Sequence, residues 1–118
     1  MVNMANLKFI KPDMTKQWLL SNGFCYNRLF SDGETESYTY RFPVYKHEEF
    51  TILECELRVI LESQYVYVDV YDYNTINKYA PFYFYEYGQY GLLLRNIWQV
   101  IEKEIQRLGI SKVRGGQM

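Results

Sequence analysis

The segment Tyr65–Tyr73, with the sequence YVYVDVYDY, alternates valine with tyrosine or aspartate over most of its length. Successive side chains of a β-strand point to opposite faces of a sheet, so the pattern predicts a strand with one valine face and one tyrosine face. Val66, Val68 and Val70 are expected to face a core, whereas the tyrosines tolerate water. This segment therefore predicts a sheet that is buried on one side only.

Two further segments, Thr35–Tyr45 and Thr51–Glu62, also alternate apolar and polar side chains and are predicted as antiparallel strands. In the first of them the even-numbered side chains are expected to face inward, namely Tyr38, Tyr40, Phe42 and Val44. Pro43 has no amide proton to donate, which favours a sheet edge or a strand end there. The preceding segment Phe24–Phe30 is predicted to pair with Thr35–Tyr45 as a hairpin.

The rest of the chain supplies one more predicted strand and two helices. The segment Phe82–Tyr87, with the sequence FYFYEY, separates its phenylalanines from its tyrosines and is predicted as a strand. Helices are predicted at Asp13–Ser21 and at about Leu92–Leu108, the second of them ended by Gly109. Together these elements predict an α+β fold of two layers. It has an antiparallel sheet of four or five strands, with an N-terminal and a C-terminal helix on one face.

Length and composition fit one domain. A chain of 118 residues buries roughly two-thirds of its extended surface on folding, so it can form a core without disulfides or structural metals. We expect one domain over residues 1–118, with an ordered core at about 7–110 and a flexible tail at 111–118. Cys25 and Cys55 lack metal-ligand spacing and are expected to be buried free thiols. There is no signal-peptide pattern and no apolar run of membrane-spanning length, so we expect a cytoplasmic protein.

Charge and motifs argue against several classes of function. The formal net charge is −1, whereas proteins that neutralise nucleic-acid phosphates usually carry a basic face. His47 is the only histidine, and it lies in a charged stretch between predicted strands. No phosphate-binding loop, nucleophile motif or metal-ligand spacing is present. The sequence therefore predicts a protein that is not an enzyme and needs no cofactor or metal.

The tyrosines of the predicted strands form the candidate interaction site. Its members are Tyr65, Tyr67, Asp69, Tyr71, Tyr73, Tyr83 and Tyr85. Three interpretations are open. Tyrosine suits exposed strands, where rings pack across strands and hydroxyls stay wet. It also offers a protein interface a large contact area at little entropic cost. Finally, it stacks on single-stranded bases where Lys or Arg follows the backbone.

Acidic side chains accompany these tyrosines, namely Glu54, Glu56, Asp69 and Glu86. They weigh against a nucleic-acid contact, because they repel phosphates. If the structure brings them together, they favour an acidic surface that imitates nucleic acid. Paired carboxylates also serve acid–base chemistry or bind divalent cations, but only with burial, a cleft and further ligands. A solvated strand face is the simpler interpretation.

The stretch WLLSNGF of the first predicted helix carries a distinctive set of residues, namely Trp18, Leu19, Asn22, Gly23 and Phe24. With the strand-rich middle and the closing helix, it resembles small uncharacterised proteins encoded by phages and conjugative elements of Gram-positive bacteria. The long tyrosine-rich strands of this chain depart from the shorter members of that group. Such proteins have no established activity, so the resemblance implies only a bacterial cytoplasm and an accessory role on mobile DNA.

We therefore expect a non-enzymatic protein-interaction module that serves as an accessory or inhibitor protein of a mobile genetic element. Its partner is expected to be another protein or a second copy of the chain, held by the tyrosine-rich face. The alternative is a contact between single-stranded nucleic acid and the same face, assisted by Arg41, Arg58, Lys112 and Arg114.

Overall fold

A computed structural model describes residues 8–28, 31, 35–84 and 91–113. Within these ranges the chain is a mixed α+β protein with a six-stranded antiparallel sheet and three helices. In chain order the elements are β1 (Lys8–Ile10), α1 (Lys16–Ser21), β2 (Cys25–Tyr26), β3 (Ser37–His47), β4 (Phe50–Ile60), β5 (Tyr65–Asp72), α2 (Ala80–Phe84), α3 (Leu92–Arg107) and β6 (Ser111–Val113). The strand order across the sheet is β2-β3-β4-β5-β1-β6.

The long strands β3, β4 and β5 follow the alternation of the sequence. One face of these strands, here called the buried face, carries Tyr38, Phe42, Val44, Leu53, Cys55, Leu57, Val59, Val66, Val68 and Val70. Tyr40 lies on the same face and is half-buried. β2 pairs with β3 only at Tyr38 and Thr39, so Pro43 lies where that edge of β3 is open, as its missing amide proton favours.

Helix α3 packs on the buried face through one apolar stripe. Its buried residues are Leu94, Ile97, Trp98, Ile101 and Ile105, which recur at helical spacing as predicted. The Trp98 ring lies 6.1 Å from the ring of Phe9 in β1 and 6.3 Å from that of Phe82 in α2. Gly109 follows the helix with a φ of 75°, the left-handed conformation that ends many helices.

Helix α1 is shorter than predicted. It begins at Lys16, because the Thr15 hydroxyl caps it by accepting a hydrogen bond from the Trp18 amide at 3.1 Å, whereas Asp13 has a φ of 66° and lies outside the helix. The Trp18 ring lies 6.2 Å from the ring of Phe24. These contacts, with the fully buried Leu19, join the helix to the core.

The predicted strand Phe82–Tyr87 is wrong for the residues that the structure describes. Residues 82–84 belong to helix α2, and Tyr85, Glu86 and Tyr87 lie outside the described residues. Pro81 explains the difference, because a proline in the first turn of a helix has its φ already set and needs no amide bond. Local backbone preference overrides the alternation of Phe and Tyr here.

Two strands were missed, so the expected number of four or five was too low. β1 and β6 have three residues each, and β1 pairs with both β5 and β6. Residues 111–113 of the predicted flexible tail form β6, because the edge of β1 supplies partners for their backbone groups. Residues 114–118 of that tail lie outside the described ranges. The placement of helices only at the two ends was also incomplete, since α2 lies beside β5.

Two smaller predictions need correction. The predicted strand Phe24–Phe30 is reduced to Cys25–Tyr26. Cys55 is a buried free thiol as expected, but Cys25 is free and exposed, because β2 is the outermost strand of the sheet. The longest helix of the described ranges, α3, has 16 residues, and none of the described helices meets the length and apolarity that a membrane span requires.

Candidate functional site: the outer face of the sheet

Side chains of β3, β4 and β5 that point away from the buried face form a second surface, here called the outer face. Strand register arranges them in rows across the three strands. One row is Thr39, Arg58 and Tyr67; the next is Arg41, Glu56 and Asp69; the third is Pro43, Glu54 and Tyr71. The tyrosines of β5 and the charges of β4 are therefore direct neighbours, as the sequence predicted for adjacent strands.

The predicted site residues separate into four groups. Tyr65, Tyr67 and Tyr73 are exposed on the outer face, with 37%, 39% and 53% of their surface accessible. Tyr71 and Asp69 share this face and are half-buried. Tyr83 comes from α2 and reaches the face at the edge of β5, as described below. Tyr85 lies outside the described residues.

Arg41 connects the three strands at the centre of the outer face. Its Nε lies 3.3 Å from Glu56 Oε2, and its Nη1 lies 3.5 Å from Glu54 Oε1. Its Nη2 donates a hydrogen bond to the carbonyl oxygen of Thr75 at 3.0 Å. The guanidinium carbon lies 4.6 Å from the centre of the Tyr71 ring, in a cation–π contact. The Nε atom is buried and its contact with Glu56 lacks hydrogen-bond geometry, so that contact is electrostatic.

Burial at this centre raises the pKa values of two acidic side chains, Tyr71 and Glu56. Burial, aided by the nearby carboxylates, raises the pKa of Tyr71 to about 12. Burial also raises the pKa of Glu56, while the Arg41 guanidinium opposes that shift. A tyrosine that stays protonated at neutral pH offers a ring and a hydroxyl for contact but no nucleophile.

The edge of β5 is closed by the segment 77–83. The Tyr83 hydroxyl donates to Asp69 Oδ1 at 2.7 Å and accepts a hydrogen bond from the Val70 amide at 3.1 Å. Lys78 Nζ lies 3.7 Å from Asp69 Oδ1 and 5.1 Å from the centre of the Tyr83 ring. Burial, together with the bond to Asp69, raises the pKa of Tyr83 well above its ordinary value. The tyrosine thus replaces the strand partner that the short β1 does not provide here.

The charges of the outer face balance one another. Glu54, Glu56 and Asp69 are close together, but they lie beside the basic side chains of Arg41, Arg58 and Lys78. Arg58 also lies over the Tyr67 ring, 4.9 Å from its centre. Glu86 falls outside the described residues. Acidic and basic side chains therefore lie side by side on the described part of this face.

Apolar side chains that were not among the predicted site residues extend the outer face at one end. The Tyr73 amide donates to the Ile52 carbonyl at 2.9 Å, which sets these two residues side by side. Ile52 and Phe50 are exposed, and Ile76 in the following loop is 90% exposed. The alternation of β4 already indicated this position for Ile52. Like the charged residues of β4 it is even-numbered, so its side chain could not face the core.

A cleft of about 650 Å³ lies beside this end, lined by Asn27, Arg41, Tyr71, Ile76 and neighbouring residues. Among the described residues, no group of three or more His, Cys, Asp and Glu side chains is arranged to bind a metal ion. Burial raises the pKa of Cys55 well above its ordinary value, so this thiol stays protonated. The arrangement offers contact chemistry: rings, paired charges and apolar side chains.

In comparisons with known proteins, no family model, no curated protein and no solved structure matches the chain. The outer face is therefore interpreted from its own geometry. Its main features are the exposed tyrosines, the balanced charges and the apolar end.

Proposed function

We propose that the protein is a non-enzymatic interaction module that binds a protein partner through the outer face. The observation that carries this proposal is the exposure of Tyr65 and Tyr67 on β5, and of Tyr73 directly after it, on a sheet whose other face is fully packed. Tyrosine on a strand loses little side-chain entropy when it becomes buried, and it is enriched at binding hot spots. The exposed Ile52 and Ile76 enlarge the same surface with apolar area.

The charges support a protein partner over single-stranded nucleic acid. Arg41 lies against Glu54 and Glu56, so a phosphate would have to compete with two carboxylates for it. Lys112 lies on β6, three strands from β4, and Arg114 lies outside the described residues. Stacking of bases needs cations that follow the backbone, and no observation within the described ranges favours that alternative.

The wider role rests on the resemblance of the sequence to small proteins of phages and conjugative elements. We propose on that basis that the module works in the bacterial cytoplasm as an accessory or inhibitor protein of a mobile element. Its action would be to occupy a surface of another protein, since binding alone is sufficient for inhibition.

The proposal is tested by capture of partners from a bacterial lysate with immobilised protein. The test variant is Tyr67→Ser/Tyr73→Ser, and the matched control is Leu92→Ser/Val100→Ser, which removes exposed apolar side chains from α3 instead. We expect the test variant to lose association by about tenfold or more, the effect of removing a hot spot, while the control retains it. If the test variant retains every association of the wild type, the outer face is not the binding surface.

A further inference from the structure

We infer that the partner of the outer face is a second copy of the chain, related to the first by a two-fold axis that runs between β3 and β4, nearly parallel to them. This inference rests on the proposed function and names its partner. Three features of the sheet support it: edges that are protected against strand addition, the order of charges along one row, and the distribution of large and small side chains.

The first feature is that the sheet edges disfavour strand addition. The open part of β3 contains Pro43, and its pairing with β4 is irregular between Pro43 and Lys46. Proline, lysine and a bulge are the devices by which proteins protect an edge strand. The other outermost strand, β6, has only three residues, and the segment 77–83 covers β5. Association is thereby directed to the face of the sheet.

The second feature is the order of charges in the central row, where Arg41, Glu56 and Asp69 follow one another on β3, β4 and β5. A two-fold axis along β4 would place Glu56 against its own copy. An axis between β4 and β5 would place Glu56 against Asp69, again two carboxylates. An axis between β3 and β4 instead places Arg41 of each copy against Glu56 of the other, in a cluster of alternating charges.

The third feature is the distribution of side-chain size across the sheet. The same axis brings β5, with its row of tyrosines, over β2, which has only two residues. Cys25 of β2 is exposed and pairs with Thr39, whose row continues through Arg58 to Tyr67. Tyr67 of one copy would therefore lie over Cys25 of the other, a large side chain against a small one. Sheets that pack face to face cross at about −30°, which an axis nearly parallel to the strands allows.

Low net charge is compatible with self-association. The chain carries a formal charge of −1, so two copies repel one another only weakly. The acidic side chains Glu54, Glu56 and Asp69 are matched by Arg41, Arg58 and the adjoining Lys78, so a strongly charged partner would gain little from this face. A second copy brings an equally balanced surface with the opposite order of charges across the axis.

The first arm of the test measures molar mass against concentration by light scattering. Thr39 of one copy is expected to lie over Arg58 of the other, so the sign of a charge placed at residue 39 decides the effect. We expect Thr39→Lys to raise the dissociation constant of the dimer by about tenfold or more, and Thr39→Glu to leave the dimer intact. Thermal unfolding of both variants in dilute solution checks that each is folded.

The second arm uses the native thiol of Cys25. With a short bismaleimide reagent, Tyr67→Cys is expected to form a covalent dimer, and Tyr67→Cys/Cys25→Ser is expected to form none. The wild type serves as the baseline, because its two Cys25 thiols would lie about three strand spacings, or roughly 14 Å, apart. Cys55 is buried and does not interfere.

A dimeric wild type with both expected patterns supports the inference. A wild type that is monomeric at every concentration overturns it, while the proposed function still stands if Tyr67→Ser/Tyr73→Ser loses a captured partner in the lysate experiment. A dimer that responds neither at residue 39 nor at residue 67 uses another surface and overturns the inference as well. If Thr39→Lys dissociates the dimer but no cross-link forms through Cys25, the placement of the axis is overturned. The outer face is still supported as the surface of association.

Discussion

The buried face and the outer face belong to the same three strands, yet different forces hold their side chains in place. On the buried face, side chains such as Leu57 and Val70 are wholly removed from water, which stabilises the fold by about 1.5 to 3 kcal/mol each. On the outer face, Arg41 and Arg58 rest on tyrosine rings, contacts worth about 0.5 to 1 kcal/mol at exposed sites. The outer face therefore contributes less to folding and is freer to serve binding.

The largest expected change in stability comes from a comparison of Leu57→Ala on the buried face with Tyr67→Ser on the outer face. Leu57 is fully buried between Tyr40 and Val68 of the adjacent strands, so its truncation leaves a cavity. We expect Leu57→Ala to lower the free energy of unfolding by about 2 to 5 kcal/mol. Tyr67→Ser is expected to lower it by less than about 1 kcal/mol.

Urea denaturation of dilute protein measures both variants against the wild type. Dilution keeps association through the outer face from adding to the apparent stability. Equal losses for the two variants would show that the two faces do not differ in their contribution to folding.

An intermediate loss of stability is expected at Tyr83, which lies at the edge between the two faces. Tyr83→Phe removes the hydroxyl that bonds to Asp69 and to the Val70 amide, so the amide loses its partner. We expect a loss of about 1 to 3 kcal/mol, the cost of an unsatisfied buried polar group. Hydrogen exchange of the Val70 amide should become faster in the same variant.

Tyr73→Phe is the matched control, because it makes the same chemical change on an exposed tyrosine of the outer face. Its stability is expected to stay within about 0.5 kcal/mol of the wild type. If Tyr83→Phe is as stable as this control, the hydroxyl does not secure the edge of β5.

The smallest test concerns pH and compares two glutamates with opposite shifts. On the outer face, burial raises the pKa of Glu56, so its contribution to stability is greatest at low pH and declines as pH rises through the folded pKa. On α3, Glu104 accepts hydrogen bonds from Arg107 at 2.6 Å and from the Tyr40 hydroxyl. The bond from Arg107 lowers the pKa of Glu104, so its contribution is present at neutral pH and is lost as pH falls through the folded pKa.

The two substitutions to glutamine should therefore respond to pH with opposite signs. As pH rises from about 4 to 7, around the ordinary glutamate pKa, the stability of Glu56→Gln relative to the wild type should increase. That of Glu104→Gln should decrease over the same range. Thermal unfolding at several pH values measures both trends, and trends of the same sign would contradict the difference between these two environments.

Alternation was sufficient to predict the two faces of β3, β4 and β5, because side chains of a half-buried strand repeat every two residues. It failed at residues 82–84, the described part of the predicted strand Phe82–Tyr87, where Pro81 favours a helix and the apolar side chain of Phe82 reaches the core from that helix. It could not reveal β1 and β6, because three residues are too few to show a period. Those strands are defined by their partners rather than by their own sequence.

The candidate site was predictable in its members but not in its arrangement. Alternation assigns Tyr67 and Asp69 to one face, but the register that sets Asp69 opposite Glu56 depends on how neighbouring strands pair. The role of Arg41 was equally hidden, since its contacts come from β4, β5 and the loop at Thr75. Such a centre exists only after the strands have assembled.

The position of β1 between β5 and β6 has a consequence for the folding kinetics. Phe9 pairs with Val66 on one side and with Lys112 on the other. This short strand therefore cannot pair until β5 and β6, which are synthesised much later, have left the ribosome. Closing such long loops is entropically costly, and topologies rich in distant contacts fold slowly. The meander of β3, β4 and β5, whose strands are joined by short turns, is expected to form first. The pairing of β1 with β5 and β6, which brings together the beginning and the end of the described chain, is expected to form last.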